Sequence, residues 1–201
     1  MSRPNKHVER SERTRARLMD AARELFMDRG YANVPVEEIV RAAGVTRGAL
    51  YHQFPGGKEG LFVAVFDQVE TEAMAGIAET LAESGVEDPI AGLRAGVDAT
   101  VGLALDPRLV QLTILDAPAV LGWQAWREAG ERYGLGLVRA GLTIAMDAGA
   151  IARAPVDPLA QLLLAAVEEA VVYVARADDP ESARENATAA LHRLLDGLSA
   201  A

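Results

Sequence analysis

The sequence predicts an all-α protein, and three observations lead to this prediction. Half of the 201 residues are hydrophobic but only 5% are aromatic, and Ala, Leu and Val dominate, a balance that favours helices over sheets. Apolar residues repeat at helical spacing, as from Leu18 to Phe26, and no stretch alternates with the period of two that a strand needs. Four Asp-Pro dipeptides each combine a capping carboxylate with a proline suited to the first helical position.

These signals divide the chain into helices in order. Gly30 ends the first amphipathic helix, since glycine tolerates the left-handed backbone that commonly follows a helix. The Asp-Pro pairs at 88, 106, 157 and 179 begin four later helices, and Asp116 with Pro118 marks another start. The predicted helices lie near residues 11–29, 36–43, 47–53, 58–84, 89–105, 107–115, 119–149, 158–177 and 180–198.

The segment 36–54 predicts a helix-turn-helix. Gly44 lies where the first of two short helices must end, and it accepts the backbone of a tight turn. Thr46 can cap the second helix through its hydroxyl. Arg47 then stands at the end of that helix that enters a major groove in this motif. The apolar cluster expected to hold the two helices together consists of Ile39, Ala43, Val45 and Leu50.

Charge is distributed unevenly along the chain. The net charge is −9, yet residues 1–60 hold 11 Lys/Arg against 8 Asp/Glu, a net charge of +3, so the remainder carries −12. A basic head on an acidic body is compatible with nucleic-acid binding by the head. There is no cysteine, which excludes disulfides and thiol chemistry. The sequence offers no signal peptide and no apolar run near the roughly 18 residues that cross a bilayer, so a soluble, cytoplasmic protein is expected.

Residues 11–66 resemble the tetracycline-repressor (TetR) family of transcription regulators. The resemblance implies an N-terminal three-helix DNA-binding head with a helix-turn-helix, residues 1–60, and a C-terminal helical body for ligand binding and dimerisation, residues 61–201. The rest of the chain resembles the family only as an all-helical body of suitable length. The residues that carry the resemblance are the Leu18–Phe26 helix, Gly30-Tyr31, Ile39, Ala43-Gly44-Val45-Thr46, Leu50-Tyr51-His52-Gln53-Phe54 and Lys58-Glu59-Gly60-Leu61-Phe62.

The same resemblance implies a set of DNA contacts. Tyr51 falls where a phenol binds a phosphate, His52 where a side chain faces DNA, and Lys58 where a lysine pairs with the backbone. Gln53 replaces a usual histidine, Val34-Pro35 replaces a hydroxyl-bearing pair, and the Phe54–Lys58 segment is one residue longer than the common spacing. Positions expected to touch base edges and adjacent phosphates are Thr46, Arg47, Gly48 and Ala49.

A homodimer and a ligand site are expected in the body. One helix-turn-helix makes few contacts, so two copies are expected to read a palindromic operator on double-stranded DNA. Apolar faces in 159–174 and 187–198 are candidates for the dimer interface, and part of each must also be internal core. The resemblance implies a repressor released by a small apolar ligand. Its candidate lining residues are Phe66, Met74, Trp123, Trp126, Tyr133, Met146 and Tyr173, each of which could equally be plain core.

Three questions remain open at the level of sequence. The glycines at 130, 134, 136, 141 and 149 indicate either tight packing or room for a ligand. The basic tail, which includes Arg10, Arg13, Arg15 and Arg17, is either a solvated charge run or an arm along phosphates. A helical interaction protein that reads no DNA is the alternative function. An enzyme is not expected, because no metal-ligand spacing, phosphate loop or nucleophile motif is found, and no cofactor is predicted.

Overall fold

Helices form nearly the whole of the protein. The computed structural model describes residues 6–83 and 87–198, and within these ranges it contains no strand. Two 3-10 turns, Tyr31–Asn33 and Leu103–Leu105, and a π-helical stretch, Gln111–Asp116, join the α-helices. The helices are α1 (Lys6–Arg29), α2 (Val36–Ala42), α3 (Arg47–Gln53), α4 (Gly57–Glu83), α5 (Pro89–Gly102), α6 (Pro107–Val110), α7 (Ala117–Leu121), α8 (Trp123–Asp147), α9 (Val156–Ala175) and α10 (Pro180–Asp196).

The chain divides into two compact units. The first comprises the residues through Val69 together with Gln111–Gly122, and the second comprises Glu70–Val110 together with the residues from Trp123 onward. The predicted head, residues 1–60, lies wholly within the first unit, which also takes in the start of α4 and a segment from the middle of the chain. Helix α4 continues without interruption from one unit into the other.

The first unit is built on an aromatic cluster. Phe26 and Phe62 are fully buried, and their ring centroids lie 5.5 Å apart. Tyr31 packs edge-on to Phe62 at 5.2 Å. Gly30, at φ +77°, ends α1 and turns the chain so that Tyr31 reaches this cluster, which confirms the predicted helix stop.

The core of the second unit lies between α5, α8, α9 and α10. Each helix contributes a stripe of apolar residues at spacings of three and four, as the amphipathic pattern requires. Leu142 on α8, Val174 on α9 and Leu195 on α10 are fully buried. Further buried members are Leu93, Val97, Val101, Ala145, Met146, Ala160, Leu163, Val167 and Leu191.

Three of the four Asp-Pro helix starts are confirmed. Asp88 accepts a hydrogen bond from the Ile90 N–H at 3.0 Å, Asp106 from the Arg108 N–H at 2.8 Å, and Asp179 from the Ser182 N–H at 3.2 Å. The prediction for Asp157 is wrong. Helix α9 begins at Val156, two residues before the predicted start at 158, and the Asp157 carboxylate instead accepts a 2.7 Å hydrogen bond from Arg139.

The predicted helix over 119–149 is wrong in its first part. Gly122 has φ +84° and separates the short α7 from α8. Residues 111–116, predicted as the end of an α-helix, form the π-helical stretch. The side chain of Asp116 does not cap α7, because it is engaged elsewhere in the first unit, as described below.

The glycines of α8 have different surroundings. A Cβ at Gly130, Gly134 or Gly141 would meet Glu168, Leu164 or Leu93 respectively at less than 3.0 Å, whereas nothing lies within 4 Å of one at Gly136. Close helix packing therefore accounts for three of these positions. Gly149, at φ +73°, follows the end of the helix.

Helix α9 corrects one expectation from the sequence. By length and composition alone it could cross a membrane, although no apolar run of that kind was expected. Two carboxylates, Glu168 and Glu169, interrupt the apolar sequence near its centre. The buried residues of α9 pack in the core of the second unit, while other apolar residues of the helix, such as Leu162, are exposed.

Candidate nucleic-acid interface

Helices α2 and α3 form the predicted helix-turn-helix. Ile39 and Leu50 are fully buried and Ala43 nearly so, while Val45 is half-buried. Gly44 adopts φ +61°, the left-handed conformation that the tight turn was expected to require. These residues fix the two short helices against α1 and leave the opposite side of α3 exposed.

Two arginines of α1 stabilise this motif from behind. The Arg17 guanidinium donates to the Gly44 carbonyl at 3.2 Å, and a Cβ added at Gly44 would collide with it. The Arg15 guanidinium donates to the Gln53 carbonyl at 3.3 Å and lies 4.4 Å from the centroid of the Phe54 ring. Both arginines therefore bond to backbone at an end of a motif helix. Sequence reasoning missed these roles because both partners lie far along the chain.

The first turn of α3 is exposed. Thr46 caps the helix, and its hydroxyl accepts the Ala49 N–H at 3.2 Å, which confirms the predicted cap. Arg47 and Gly48 are exposed, and Ala49 is half-buried. The nearest atom to a Cβ added at Gly48 is the Thr46 hydroxyl, at 3.9 Å. A large molecule could thus approach the backbone of this turn closely.

Arg47 is held by two neighbours. Its guanidinium forms a 2.7 Å ion pair with Glu37 of α2, and it lies 3.4 Å from the Tyr51 hydroxyl one turn along α3. The hydrogen bond with Tyr51, reinforced by the charge of Glu37, raises the pKa of Arg47. The guanidinium is therefore always charged and already oriented, yet paired with a carboxylate. Sequence reasoning did not identify Glu37, because ten residues separate it from Arg47.

Tyr51 and His52 complete the exposed surface of α3. Tyr51 is 44% exposed, so it is a surface residue and does not belong to the hydrophobic core. Its ring rests against Gly57, where an added Cβ would lie 2.8 Å from a ring carbon. Gly57 has φ +63° and begins α4. His52, the next residue of α3, is exposed as well.

Gln53 and Lys58 are engaged inside the first unit. Gln53 is half-buried and its amide donates to the Ser11 hydroxyl at 2.8 Å. The Lys58 ammonium donates to the Tyr31 carbonyl at 2.6 Å and lies 4.0 Å from the centroid of the Tyr31 ring. Burial lowers the pKa of Lys58, against the opposing effect of Asp116. The structure thus groups Thr46, Arg47, Gly48, Tyr51 and His52 on one surface and gives Gln53 and Lys58 internal partners.

The segment 111–122 contacts the head through Asp116. One oxygen of its carboxylate accepts the Tyr31 N–H at 2.6 Å, and the other accepts the Gln111 amide at 3.1 Å. A Cβ at Gly30 would lie 2.8 Å from that same amide nitrogen. The turn after α1 and the π-helical stretch are therefore fitted closely together. Eighty-five residues separate Asp116 from Tyr31, so no local pattern predicts this contact.

The predicted ligand-lining residues are distributed between the two units. Phe66 belongs to the first unit and is buried in it, and Met146 is buried in the core of the second. Trp123 and Trp126 lie together on the first turn of α8, with ring centroids 5.0 Å apart, and Trp123 is 65% exposed. Met74 and Tyr133 are half-buried. Tyr173 is exposed on the surface of α9.

Large apolar side chains are exposed along α9 and α10. Leu162 and Tyr173 on α9 are 71% and 55% exposed, and Leu194 on α10 is 60% exposed. Leu162 and Tyr173 are eleven residues apart, three turns of a helix, so they share one face. Ala190, one turn before Leu194, is also exposed. We refer to Leu162, Tyr173, Ala190 and Leu194 as the exposed apolar face of the second unit.

One buried carboxylate lies between α8 and α9. Glu168 forms a 3.1 Å ion pair with Arg127, and its other oxygen is buried without a hydrogen-bond partner in the described part of the chain. Burial raises the pKa of Glu168; Arg127 opposes this effect and Glu131 adds to it. Gly130 makes the arrangement possible, because an added Cβ would overlap that second oxygen.

His192, a histidine of α10, has a structural partner. His192 contacts Asp98 at 2.8 Å, and the neighbouring Asp196 pairs with Arg94. The two pairs connect α10 with α5. Within the described ranges, no group of three or more His, Asp or Glu side chains could hold a metal ion.

A short exposed helix, capped by Thr46 and supported by two packed helices, is the arrangement of helix-turn-helix regulators. The sequence profile of bacterial regulatory proteins of the tetR family matches residues 18–65, and that of the tetracyclin repressor-like C-terminal domain matches residues 90–198. The chain belongs to the TetR family.

Individual relatives agree with this membership. A TetR-family transcriptional regulator from Pectobacterium atrosepticum is 30% identical, and the match covers 100% of this chain and 99% of that one with a TM-score of 0.83. The transcriptional repressor AcnR of Corynebacterium efficiens is 35% identical over 80 residues, 40% of either protein. RolR in complex with resorcinol has a similar fold, with a TM-score of 0.72 at 23% identity, over 93% of this chain and 89% of that one. The curated relatives are matched over less than half of their length.

Proposed function

We propose that this protein is a sequence-specific DNA-binding transcription regulator, acting as a repressor that a small apolar ligand releases. The observation that carries the proposal is the exposed first turn of α3, with Arg47 oriented at its end and an open backbone at Gly48. A recognition helix reads bases chiefly with its N-terminal residues, and an arginine there can bind guanine through two hydrogen bonds. Membership of a family of regulatory proteins supports the proposal.

In this proposal the active form is a homodimer on a palindromic operator. The exposed apolar face of Leu162, Tyr173 and Leu194 would be costly to leave in water, and a second copy offers the same face in return. Two copies present two recognition helices, which suits half-sites one helical turn apart. Such a protein acts on chromosomal DNA, so we infer a cytoplasmic location.

Ligand control would act through the chain segments that the two units share. Helix α4 is continuous through both, and the Gln111–Gly122 segment of the first unit is joined at both ends to the second. A ligand can shift such a protein only as far as it prefers one shape over the other. The structure of RolR holds resorcinol, a small aromatic molecule, which supports a ligand of that size here. The tryptophan pair of α8 would contribute apolar surface to such a site.

The experiment is selection of bound duplexes from a random pool by the purified full chain, followed by mobility shifts at several salt concentrations. We expect a palindromic site whose affinity falls steeply as salt rises. Failure to enrich any sequence, with no binding to duplex DNA even at low salt, would overturn the proposal. A screen of small aromatic and aliphatic molecules against the selected duplex then tests release.

The alternative is a helical interaction protein that reads no DNA. The ion pair between Arg47 and Glu37 favours it, since a guanidinium already paired with a carboxylate must exchange partners to bind a base. The same selection separates the two functions. A stable dimer that ignores duplex DNA would support the alternative.

A further inference from the structure

Helix α1 extends well before the part of the chain that matches the family. It begins at Lys6, whereas the family profile starts at residue 18. The extension amounts to about three helical turns. Its side chains contribute little to the core of the first unit: between Val8 and Arg17 none is buried. An exposed helical segment of this kind needs a reason beyond packing.

Three arginines of this segment share one face. Arg10, Arg13 and Arg17 follow one another at intervals of three and four residues, the spacing that aligns side chains along a helix. All three are exposed. They span about 10 Å of the helix axis, at about 1.5 Å per residue. We call them the α1 stripe.

Arg10 and Arg13 differ from the other arginines of the first unit. In the described part of the chain their guanidinium groups have no hydrogen bond or ion pair. The other arginines of this unit within residues 6–69 do have partners: Arg15 and Arg17 bond to backbone carbonyls, Arg29 and Arg41 pair with Glu38, Arg47 pairs with Glu37, and Arg23 is also engaged.

The α1 stripe begins at the recognition motif. Arg17 donates to the carbonyl of Gly44, two residues before the Thr46 cap of α3. From there the stripe runs back along α1 through Arg13 to Arg10. The two free guanidinium groups therefore lie on the same face of α1 as an arginine that bonds to the turn of the helix-turn-helix.

We propose that Arg10 and Arg13 bind the phosphate backbone of the DNA that flanks each half-site. This inference rests on the proposed function. Guanidinium groups bind phosphate through paired, charge-assisted hydrogen bonds. Glu9 and Glu12 are exposed on the same helix and reduce its net charge, so the interaction depends on direct contact more than on a general basic field. Such contacts would raise the affinity for DNA and help to orient the protein on the duplex, but they would not distinguish one base sequence from another.

The test compares two double variants of the full chain that remove the same charge. R10Q/R13Q alters the stripe, and R139Q/R153Q removes two exposed arginines from the second unit. On a selected operator with about six extra base pairs on each side, R10Q/R13Q should bind roughly tenfold more weakly. The slope of log affinity against log salt should fall by up to about 2 per protomer. R139Q/R153Q should bind as the wild type does.

Two further arms identify the contact. On a duplex trimmed to the half-sites, R10Q/R13Q and the wild type should bind alike, because the flanking phosphates are gone. R10K/R13K, which keeps both charges, should recover most of the affinity on the long duplex. Circular dichroism must show unchanged helix content for the comparison.

The outcomes separate this inference from the proposed function. Wild-type protein that selects an operator, while R10Q/R13Q retains full affinity and salt dependence on the long duplex, overturns only the role of the stripe. An equal loss by R10Q/R13Q and R139Q/R153Q also overturns it, since net charge alone would then be responsible. A wild-type protein that binds no duplex overturns both.

Discussion

The Asp116 carboxylate accepts the Tyr31 N–H at 2.6 Å. This bond joins the turn after α1 to a segment 85 residues further along the chain, and the same carboxylate also accepts the Gln111 amide. The N–H of Tyr31 lies in a part-buried place, where a lost acceptor is costly.

We therefore predict that Asp116→Ala lowers the free energy of unfolding by about 1–2 kcal/mol, because it leaves these donors without an acceptor. Urea denaturation measures the change. Asp147→Ala is the control: that carboxylate forms an exposed ion pair with Arg153, and its loss should cost less than about 0.5 kcal/mol. Equal effects of the two variants would mean that the bond to Tyr31 contributes no more than a surface pair.

Arg47→Ala should weaken binding to a selected operator by about 1–3 kcal/mol and relax the preference at one base position. Glu37→Gln should strengthen binding, because it frees the Arg47 guanidinium and removes a negative charge beside the first turn of α3. Fluorescence anisotropy on matched and mismatched duplexes measures both. Arg41→Ala, an exposed arginine of α2, serves as the control, with a smaller loss expected on every sequence alike. Unchanged selectivity after Arg47→Ala would remove Arg47 from base reading.

Two glycine variants within α8 should change stability in opposite directions. Gly130→Ala places a Cβ against the Glu168 carboxylate, which must swing aside and weaken its ion pair with Arg127, so a net loss of up to about 1 kcal/mol is expected. Gly136→Ala meets nothing within 4 Å and should add up to about 1 kcal/mol through helix propensity. Thermal and urea unfolding report both changes. A gain of stability at both positions would contradict the close approach of α8 and α9.

The pKa of Glu168 predicts a dependence of stability on pH. Burial raises this pKa above its usual value of 4.5. At a pH between the pKa of the unfolded state and that of the folded state, Glu168 is therefore protonated in the folded protein and ionised in the unfolded chain. Stability should fall as pH rises through the interval between those two pKa values, and remain lower above it. Glu168→Gln removes the titrating group, so its unfolding free energy should change less with pH across that interval. Parallel curves for the variant and the wild type would show that Glu168 titrates normally.

Leu162→Glu should disrupt the proposed dimer. It places a charge within the exposed apolar face, and we expect the dissociation constant to rise by more than about tenfold. Sedimentation velocity at several protein concentrations measures it. Ile144→Glu is the matched control, since Ile144 is 60% exposed on α8, a helix that contributes no residue to that face. Dissociation by both variants, or by neither, would argue against this interface.

Much of the head could be predicted from the sequence because its determinants are local. The turn at Gly44, the cap at Thr46 and the stop at Gly30 depend on conformational preferences of single residues. The same reasoning failed at Gly122. Nothing local distinguishes this glycine, which breaks a helix, from Gly130 and Gly134, which α8 retains because they allow close packing.

The site could be predicted only in part, because the hydrogen-bond partners of long polar side chains depend on residues that are distant in the sequence. Lys58 and Gln53 stand in positions that suggest DNA contacts, yet here they bond to Tyr31 and Ser11. Their roles on DNA stay predictions. Glu37 pairs with Arg47 on the exposed surface, and Asp116 accepts the Tyr31 N–H. Neither residue belongs to a sequence motif that would have predicted its role.

The bonds from Arg15 and Arg17 have a practical consequence for anyone who shortens this protein. A fragment that starts at Leu18, where similarity to the family begins, would lack both guanidinium groups. The Gly44 and Gln53 carbonyls would then accept hydrogen bonds from water instead. The angle between α2 and α3 would be less tightly defined. The affinity for DNA measured on such a fragment would be lower than that of the full chain, even if every residue of α3 were present.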